Sequence, residues 1–166
     1  ELGELWVRGP NVTPGYWKRP DAPAAAFIDF QGQSYFRSGD LGRVDEDGYF
    51  YHAGRADDVI ISAGWTMSAV EIENTLLKHP DVKEAAVIGV PDATRGQVVK
   101  SFVVTDRPAS DEFVDELKNF TRERLSQHEF PRHIEFVSEL PKTPAGKVHR
   151  KVLRDREAAA AAAVGN

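Results

Sequence analysis

The fold of this chain is decided by residues 59–105, VIISAGWTMSAVEIENTLLKHPDVKEAAVIGVPDATRGQVVKSFVVT. Its first part predicts a pair of strands that turn around Ala63-Gly64. Apolar residues then recur at helical spacing, which predicts a helix. Ser68 stands at the N-cap position of that helix, three residues before Glu71, and this spacing is typical of a capping box.

The segments that follow continue an alternation of strands and helices. Two apolar runs, at residues 82–91 and 98–105, predict two strands. An apolar stripe predicts a helix over Asp111–Gln127. A further strand is predicted over His133–Val137, and a terminal helix from about Val148. The apolar stripe of the middle helix consists of Phe113, Val114, Leu117, Phe120 and Leu125.

The order of elements from Val59 onward is therefore β-α-β-β-α-β followed by a helix. This order predicts a small two-layer α+β domain over residues 57–156, with a three-stranded sheet core and flanking helices. Residues 157–166 are mostly alanine, which predicts a frayed helical tail.

The first 56 residues are richer in β signals. A strand is predicted over Glu4–Arg8, a short helix from about Pro23, and antiparallel β structure over residues 34–55 with a hairpin at Asp47-Gly48. This segment is too short and too rich in strands to enclose a core by itself. We therefore expect the chain to be a fragment, with exposed apolar surface on residues 1–55 through which a homodimer could form.

Composition excludes several classes of protein. The chain has 166 residues, of which 41% are hydrophobic and 28% charged, and it contains no cysteine. These values exclude a disulfide scaffold and thiolate chemistry. A formal net charge of −5 argues against a nucleic-acid partner, although Lys142–Arg156 is locally basic. No apolar run reaches the length of a membrane span, so we expect no membrane partner and a cytoplasmic protein.

Two short segments carry side chains suited to chemistry. The triplet SGD places Asp40 after a glycine at the end of a predicted strand, where its carboxylate could accept hydrogen bonds from a diol. The segment PKTPAGKVHR presents Lys147 near a helix start, where an anion is favoured. Taken singly, an ordinary turn aspartate and a solvated lysine are the better explanations of these two residues. The five histidines lack metal-ligand spacing, so no metal site is predicted.

The order of several motifs resembles the adenylate-forming superfamily, which includes acyl-CoA synthetases, luciferases and peptide-synthetase adenylation domains. The resemblance covers nearly the whole chain, Glu4–Arg156, and is closest to acetyl- and medium-chain acyl-CoA synthetases. The motifs that carry it are ELWVRGPNVTPGYW, FRSGDLGRVDEDGYFYHAGR, GRADDVIISAGWTMSAVEIE, VKEAAVIGVPDATRGQVVKSFVV and LPKTPAGKVHRKVLR.

The resemblance implies a division of the chain. Residues 1–56 would be the C-terminal edge of a large adenylate-forming domain plus the hinge, and residues 57–156 a C-terminal lid domain. The reaction implied is that of a carboxylic acid, ATP and CoA giving acyl-CoA, AMP and pyrophosphate. Mg²⁺ is expected with ATP, although without a ligand in this chain. The isolated fragment is expected to be inactive, because the phosphate loop and acyl pocket would lie in the missing N-terminal domain.

The resemblance also implies roles for individual residues. Asp40 and Arg55 would bind the ribose of ATP or the adenylate, and Asp57 would be the hinge residue. Lys147 would be the catalytic lysine that reaches the substrate carboxylate and the α-phosphate during adenylation. Thr66 stands where the family commonly has an arginine that contacts the nucleotide phosphates, and it can offer a hydrogen bond but no charge.

A second group of residues is implied in CoA binding. One loop would line the pantetheine arm, where a glycine lets backbone approach closely. Arginines would hold the coenzyme's phosphates, because a guanidinium presents forked donors. The predicted set is Ala63, Gly64, Trp65, Arg95, Arg122, Phe130, Pro131 and Arg132.

Two other functions fit part of this pattern. An adenylation domain of a peptide synthetase or aryl-acid ligase would load a carrier-protein pantetheine instead of CoA. A non-enzymatic interaction module could also use the same fold. The arginines suited to a free coenzyme favour the acyl-CoA synthetase, whose acid the sequence leaves open.

Overall fold

The structure, a computed structural model, describes residues 3–18 and 26–164. The chain divides into two compact units, Glu1–Asp57 and Asp58–Asn166. The short helix expected from about Pro23 begins outside the described residues.

The first unit contains an antiparallel sheet in which β3 pairs with each of the other three strands. The predicted hairpin at Asp47-Gly48 is confirmed: Asp45 Oδ1 accepts the N–H groups of Asp47 and Tyr49, at 3.1 and 2.8 Å. The aspartate thus closes the turn with its own side chain. The strands are β1 (Gly3–Val7), β2 (Phe27–Phe30), β3 (Gln33–Val44) and β4 (Phe50–Arg55).

Apolar side chains of this first unit are largely exposed. Trp17 is 88% exposed, Tyr49 68% and Val44 59%. Within the described part of the chain, every buried apolar side chain lies in the second unit. The exposed apolar surface expected from the sequence on residues 1–55 is therefore present.

The second unit contains a five-stranded sheet. The predicted core of three strands is present: β7 pairs antiparallel with β8, and β9 pairs parallel with β8. The predicted hairpin around Ala63-Gly64 is also present and joins the start of β8 through the pair Ser62 and Gly96. The strands are β5 (Val59–Ser62), β6 (Trp65–Ser68), β7 (Glu84–Asp92), β8 (Gly96–Val104) and β9 (His133–Phe136).

Three helices complete this unit: α1 (Ala69–Leu76), α2 (Asp111–Arg122) and α3 (Arg150–Val164). The N-cap predicted at Ser68 is confirmed, because its hydroxyl accepts the N–H of Glu71. This bond satisfies one of the donors that a helix start leaves free.

Two helix boundaries differ from the predictions. Helix α2 ends at Arg122 rather than Gln127, since the N–H of Ser126 donates to the Glu129 carboxylate instead of continuing the helix. Helix α3 begins at Arg150 rather than Val148, since Val148 still pairs with Lys142 in an isolated β-bridge. The alanine-rich tail is helical to Val164.

The core lies on both faces of the second sheet, because alternate strand residues point to opposite sides. On one face α1 and α2 pack against the sheet, with Leu76 and Phe113 fully buried. On the other face Leu153 of α3 packs against Phe102 and its neighbours. The terminal helix thus adds a third layer to the two that the sequence predicts. None of the described helices combines the length and apolarity needed to span a membrane.

Candidate functional site

In the first unit, Asp40 and Arg55 are brought together by the pairing of β3 with β4, which places them directly opposite each other. Arg55 Nη1 donates to Asp40 Oδ1 at 3.3 Å and to the carbonyl of Ser38 at 2.7 Å. Arg55 Nε donates to Asp57 Oδ1 at 3.3 Å. The three residues that the sequence singled out around the predicted hinge therefore form one hydrogen-bonded group.

Gly39 makes this arrangement possible. Its φ is +72°, a conformation that favours glycine, and a Cβ built on it would lie 2.7 Å from Arg55 Nη2. Any larger residue would displace the guanidinium. The backbone conformation and the close approach of Arg55 therefore explain why a glycine occupies this position of the SGD triplet, without reference to a ligand.

An open cleft of about 600 Å³ lies beside this group and is lined by Arg37, Ser38, Arg55 and Asp57 among others. Burial lowers the pKa of Arg55, but the charge of Asp57 and its hydrogen bond outweigh this, so the pKa is raised and the guanidinium stays charged. Asp40 accepts a hydrogen bond from Arg55, which lines the cleft, and the Asp40 side chain is about one third exposed. A carboxylate beside a fixed cation suits the hydroxyls of a ribose, so these residues fit the expected nucleotide.

His52 on β4 was not predicted as a site residue. Its Nε2 lies 3.8 Å from Asp40 Oδ1, and its Nδ1 accepts the N–H of Gly54. His52 comes close to Asp40 because β4 pairs with β3. The sequence pattern of β4 alone does not distinguish this histidine from its neighbours.

In the second unit, Lys147 lies on a hydrogen-bonded loop. Thr143 N donates to the carbonyl of Lys147, and His149 N donates to the carbonyl of Pro141, both at 2.7 Å. Gly146, at φ +78°, completes the turn with a bond to the carbonyl of Thr143. The loop is therefore closed by its own backbone and does not depend on a ligand for its shape.

The side chain of Lys147 is exposed. Among the described residues, none forms a hydrogen bond or ion pair with its Nζ. A lysine held inside the unit would contradict the role predicted for it. The structure instead leaves the ammonium free to meet an anion.

The predicted pantetheine loop is the tight turn between β5 and β6. Ala63 and Gly64 both have positive φ, +50° and +83°, as the favoured two-residue hairpin turns require. Ala63 N donates to the carbonyl of Arg95 at 2.9 Å, so Arg95 lies beside this turn. Trp65 is half-exposed and stacks on His128, with ring centroids 4.1 Å apart. His128 had no signal in the sequence, because its contact joins residues 63 positions apart.

Two of the predicted arginines lie near one edge of the sheet. Arg95 precedes β8, and Arg132 precedes the parallel neighbour β9. The pKa of Asp92 is lowered by hydrogen bonds from the N–H groups of Arg95 and Thr94 and also by the charges of Arg95 and Arg132. Both cations therefore act on the same small region. Their forked donors fit the phosphates expected of a coenzyme.

The ring of Phe130 packs against the guanidinium groups of Arg122 and Arg132. The guanidinium carbons of Arg122 and Arg132 lie 4.0 and 5.1 Å from the centre of its ring. Phe130 is only 7% exposed, and Pro131 is buried. The two residues therefore lie beneath the arginines and offer a ligand little surface of their own. Thr66, by contrast, is exposed on β6 opposite Ile61.

Among the described residues one cluster has a donor set that could hold a metal: His79, Asp81 and Glu116. Arg107 Nη1 already pairs with Asp81 and Glu116, at 3.1 and 2.9 Å. His79 Nδ1 accepts the N–H of Asp81, so its Nε2 is the donor toward Glu116. Mg²⁺ prefers oxygen ligands. This cluster offers an imidazole nitrogen, and the guanidinium of Arg107 already occupies its two carboxylates, so the cluster does not fit Mg²⁺.

Comparison with known proteins adds independent evidence. Residues 71–147 match the family described as AMP-binding enzyme C-terminal domain. The 2-succinylbenzoate–CoA ligase of Geobacillus kaustophilus is 47% identical over 154 residues, which are 93% of this chain and 30% of that protein. The long-chain-fatty-acid–CoA ligase of Bacillus subtilis is 41% identical over 157 residues, 95% of this chain and 27% of that protein. The chain thus spans less than a third of the length of these relatives.

Solved structures of related enzymes are similar to this chain in fold as well as in sequence. The o-succinylbenzoate CoA synthetase MenE of Bacillus subtilis, in complex with the acyl-adenylate intermediate OSB-AMP, superposes with a TM-score of 0.80 at 36% identity. The match covers 92% of this chain and 30% of that one. ATP-bound MatB of Rhodopseudomonas palustris gives a TM-score of 0.80 at 35% identity, over 94% of this chain and 30% of that one. Residues 71–147 therefore match an AMP-binding enzyme C-terminal domain, and more than nine tenths of the chain is similar to CoA ligases and to a CoA synthetase that forms an acyl-adenylate.

Proposed function

We propose that this chain is the C-terminal portion of an ATP-dependent acyl-CoA synthetase. The complete enzyme converts a carboxylic acid, ATP and CoA into acyl-CoA, AMP and pyrophosphate. In this proposal residues 1–56 complete the large domain, residues 57–156 form the lid, and Asp57 is the hinge. The chain alone, lacking a phosphate loop and an acyl pocket, is inactive.

The observation that carries the proposal is the exposed ammonium of Lys147 on a loop closed by its own backbone. When a carboxylate attacks the α-phosphate of ATP, negative charge accumulates around one phosphorus atom. A preorganised cation stabilises that charge without having to move a proton. Lys147 supplies such a cation, and its freedom from other partners keeps it available.

The remaining site residues divide between the two half-reactions. Asp40 and Arg55 hold the ribose of the nucleotide, and Thr66 donates a hydrogen bond toward its phosphates. The turn Ala63-Gly64-Trp65 guides the pantetheine arm. Arg95, Arg122 and Arg132, supported by Phe130 and Pro131, hold the phosphates of CoA. The close approach of Arg95 to the turn supports this grouping.

ATP and CoA are thus the proposed cosubstrates, and Mg²⁺ accompanies ATP without a ligand from the described residues. The relatives named above include ligases for an aromatic acid and for long-chain fatty acids. The acid used here is left to experiment. A cytoplasmic location and a homodimer remain predictions of the sequence.

The test uses the complete enzyme that contains this chain. Pyrophosphate release is measured over a panel of short, medium-chain and aromatic acids, with CoA or a pantetheinylated carrier protein as acceptor. We expect release that depends on one class of acid and a thioester formed on CoA. A thioester formed only on the carrier protein would assign the chain to a peptide-synthetase type of enzyme, and no release with any acid would refute an enzymatic role.

The role of Lys147 is tested by separating the half-reactions. Lys147→Ala should abolish adenylate formation, yet leave thioester formation from a supplied acyl-adenylate within a few-fold of wild type. Lys151→Ala is the matched control, because Lys151 is also exposed and forms its ion pair with Asp155 on the same helix. Equal loss of both half-reactions in Lys147→Ala would contradict the assignment.

A further inference from the structure

Arg150, the first residue of α3, lies in a largely buried cluster of charged side chains. Its side chain is 20% exposed, and those of Asp58 and Glu73 are 8% and 9% exposed. Arg150 Nη1 donates to Asp58 Oδ2 at 3.0 Å, while Nε and Nη2 donate to the two oxygens of Glu73 at 3.0 and 2.5 Å. The contact with Glu73 is therefore bidentate, which fixes the orientation of the guanidinium as well as its position.

Both carboxylates have additional partners. Glu73 Oε1 accepts the N–H of Val87 on β7 at 2.7 Å. Asp58 Oδ1 accepts from Arg154 Nη1 at 3.1 Å. The cluster thus joins the first residue of the second unit to α1, β7 and α3, and its members lie up to 96 positions apart in the chain.

Two members of the cluster directly follow segments to which the proposed function assigns a role. Asp58 directly follows Asp57, the proposed hinge residue. Arg150 lies three residues after Lys147 and directly after His149, whose N–H closes the loop onto Pro141. The side chain of Arg150 therefore fastens the C-terminal end of the Lys147 loop to the residue from which the second unit starts.

Stability alone is a weak reason for such a cluster. Desolvating charges is costly, and well-packed apolar side chains often stabilise a protein as much as a buried ion pair does. What a bidentate buried contact supplies is a single geometry. The need for one geometry is strongest where a catalytic group must reach its position to within about half an ångström.

We propose that Arg150 is a positioning residue for adenylation. It locks the Lys147 loop to Asp58 and Glu73, so that rotation at the hinge carries the Lys147 ammonium as part of a rigid body. The inference rests on the proposed function and deepens it by assigning a role that no contact with substrate requires. The turn at residues 63–65, to which we assign the thioester half-reaction, is held by the pairing of β5 with β6 and by the bond from Ala63 N to the carbonyl of Arg95.

The test measures both half-reactions in the complete enzyme carrying Arg150→Met. A misplacement of about 1 Å can cost about 100-fold in rate, so adenylation should fall by about 10- to 100-fold. Thioester formation from a supplied acyl-adenylate should stay within about 3-fold of wild type. Arg150→Lys, which keeps one charge but loses the fork, should give an intermediate adenylation rate.

Arg156→Met is the matched control. Arg156 is also an arginine of α3 in an ion cluster, but it pairs with Glu135 and Glu157, away from the loop. It should change neither half-reaction by more than about 3-fold. Hydrogen exchange adds a second readout: the backbone N–H groups of residues 141–149 should exchange faster in Arg150→Met and unchanged in Arg156→Met.

The outcomes separate the two proposals. An active wild-type enzyme in which Arg150→Met slows both half-reactions equally, or no more than Arg156→Met does, overturns the positioning role and leaves the proposed function standing. A wild-type enzyme that releases no pyrophosphate with any acid overturns both. If Arg150→Met does not fold, Arg150→Lys provides the test, and an equal loss of both half-reactions in that variant overturns the positioning role.

Discussion

Replacing Lys100 by methionine should loosen the contact between α3 and the sheet. Lys100 on β8 is 16% exposed, and its Nζ lies 2.8 Å from Glu135 Oε2 on β9 and 2.7 Å from Glu157 Oε2 on α3. Methionine keeps much of the apolar stem but removes the charge, and with it the cation–π contact in which Nζ lies 5.0 Å from the centre of the Phe102 ring. Lys100→Met therefore isolates the contribution of the cation.

The expected loss lies between two limits. Exposed ion pairs contribute about 0–1 kcal/mol, whereas removing one partner of a buried pair costs about 3–5 kcal/mol. Lys100 is largely buried, but Glu135 is 38% exposed, and Arg156 still lies near both carboxylates. We therefore expect Lys100→Met to cost about 2 kcal/mol.

The loss should depend on pH. Burial raises the pKa of Glu135, but the hydrogen bond and charge of Lys100 outweigh it, and the pKa falls below its ordinary value of 4.5. Burial lowers the pKa of Lys100, but its bonds to Glu135 and Glu157 raise it above 10.5. A lowered carboxyl pKa stabilises the fold above the ordinary value and stops doing so as the pH falls through the folded value. A raised lysine pKa stabilises below 10.5, and this is lost as the pH rises through the folded value.

The assay is hydrogen exchange of peptides from β8, β9 and α3, which yields the free energy of local opening. Lys151→Met is the control, since the pair with Asp155 is 69% and 63% exposed and should contribute close to nothing. Two results would refute the reasoning: equal opening free energies for the two variants at neutral pH, or a deficit in Lys100→Met that persists unchanged at a pH well below the lowered pKa of Glu135.

Three other substitutions test separate features. Ser68→Ala removes the N-cap of α1 and should cost about 1 kcal/mol in urea unfolding, whereas Ser68→Asp should restore it; an unchanged midpoint for Ser68→Ala would show that the cap contributes nothing. Ala63→Gly should stabilise the fold by about 0.5 kcal/mol, because relief of a left-handed alanine, about 1–2 kcal/mol, exceeds the added flexibility of glycine; a lower melting temperature would argue against strain at φ +50°. Arg95→Glu in the complete enzyme should raise the KM for CoA without weakening ATP binding, and an equal loss for ATP would place Arg95 elsewhere.

Local features of this protein follow directly from its sequence. The turn at Ala63-Gly64, the N-cap at Ser68 and the hairpin at Asp47-Gly48 are each set by residues within a few positions of one another. Turn conformation and capping depend on short-range sterics and hydrogen bonds, so these features could be predicted. The ordered motifs likewise indicated the family, and with it the candidate roles of Asp40 and Lys147.

Tertiary structure decided what joins these local pieces. The ends of α2 and α3 depend on Glu129 and on the bridge at Val148, which helical periodicity does not reveal. Phe130, whose contact with CoA stays a prediction, lies beneath two arginines that are distant in the sequence from each other. The bond from Arg150 to Asp58 spans 92 positions. Burial and long-range ion pairing arise only when distant segments pack together. The packing of the second unit, and not any motif, therefore brings Arg150, at the C-terminal end of the Lys147 loop, into contact with Asp58 and Glu73.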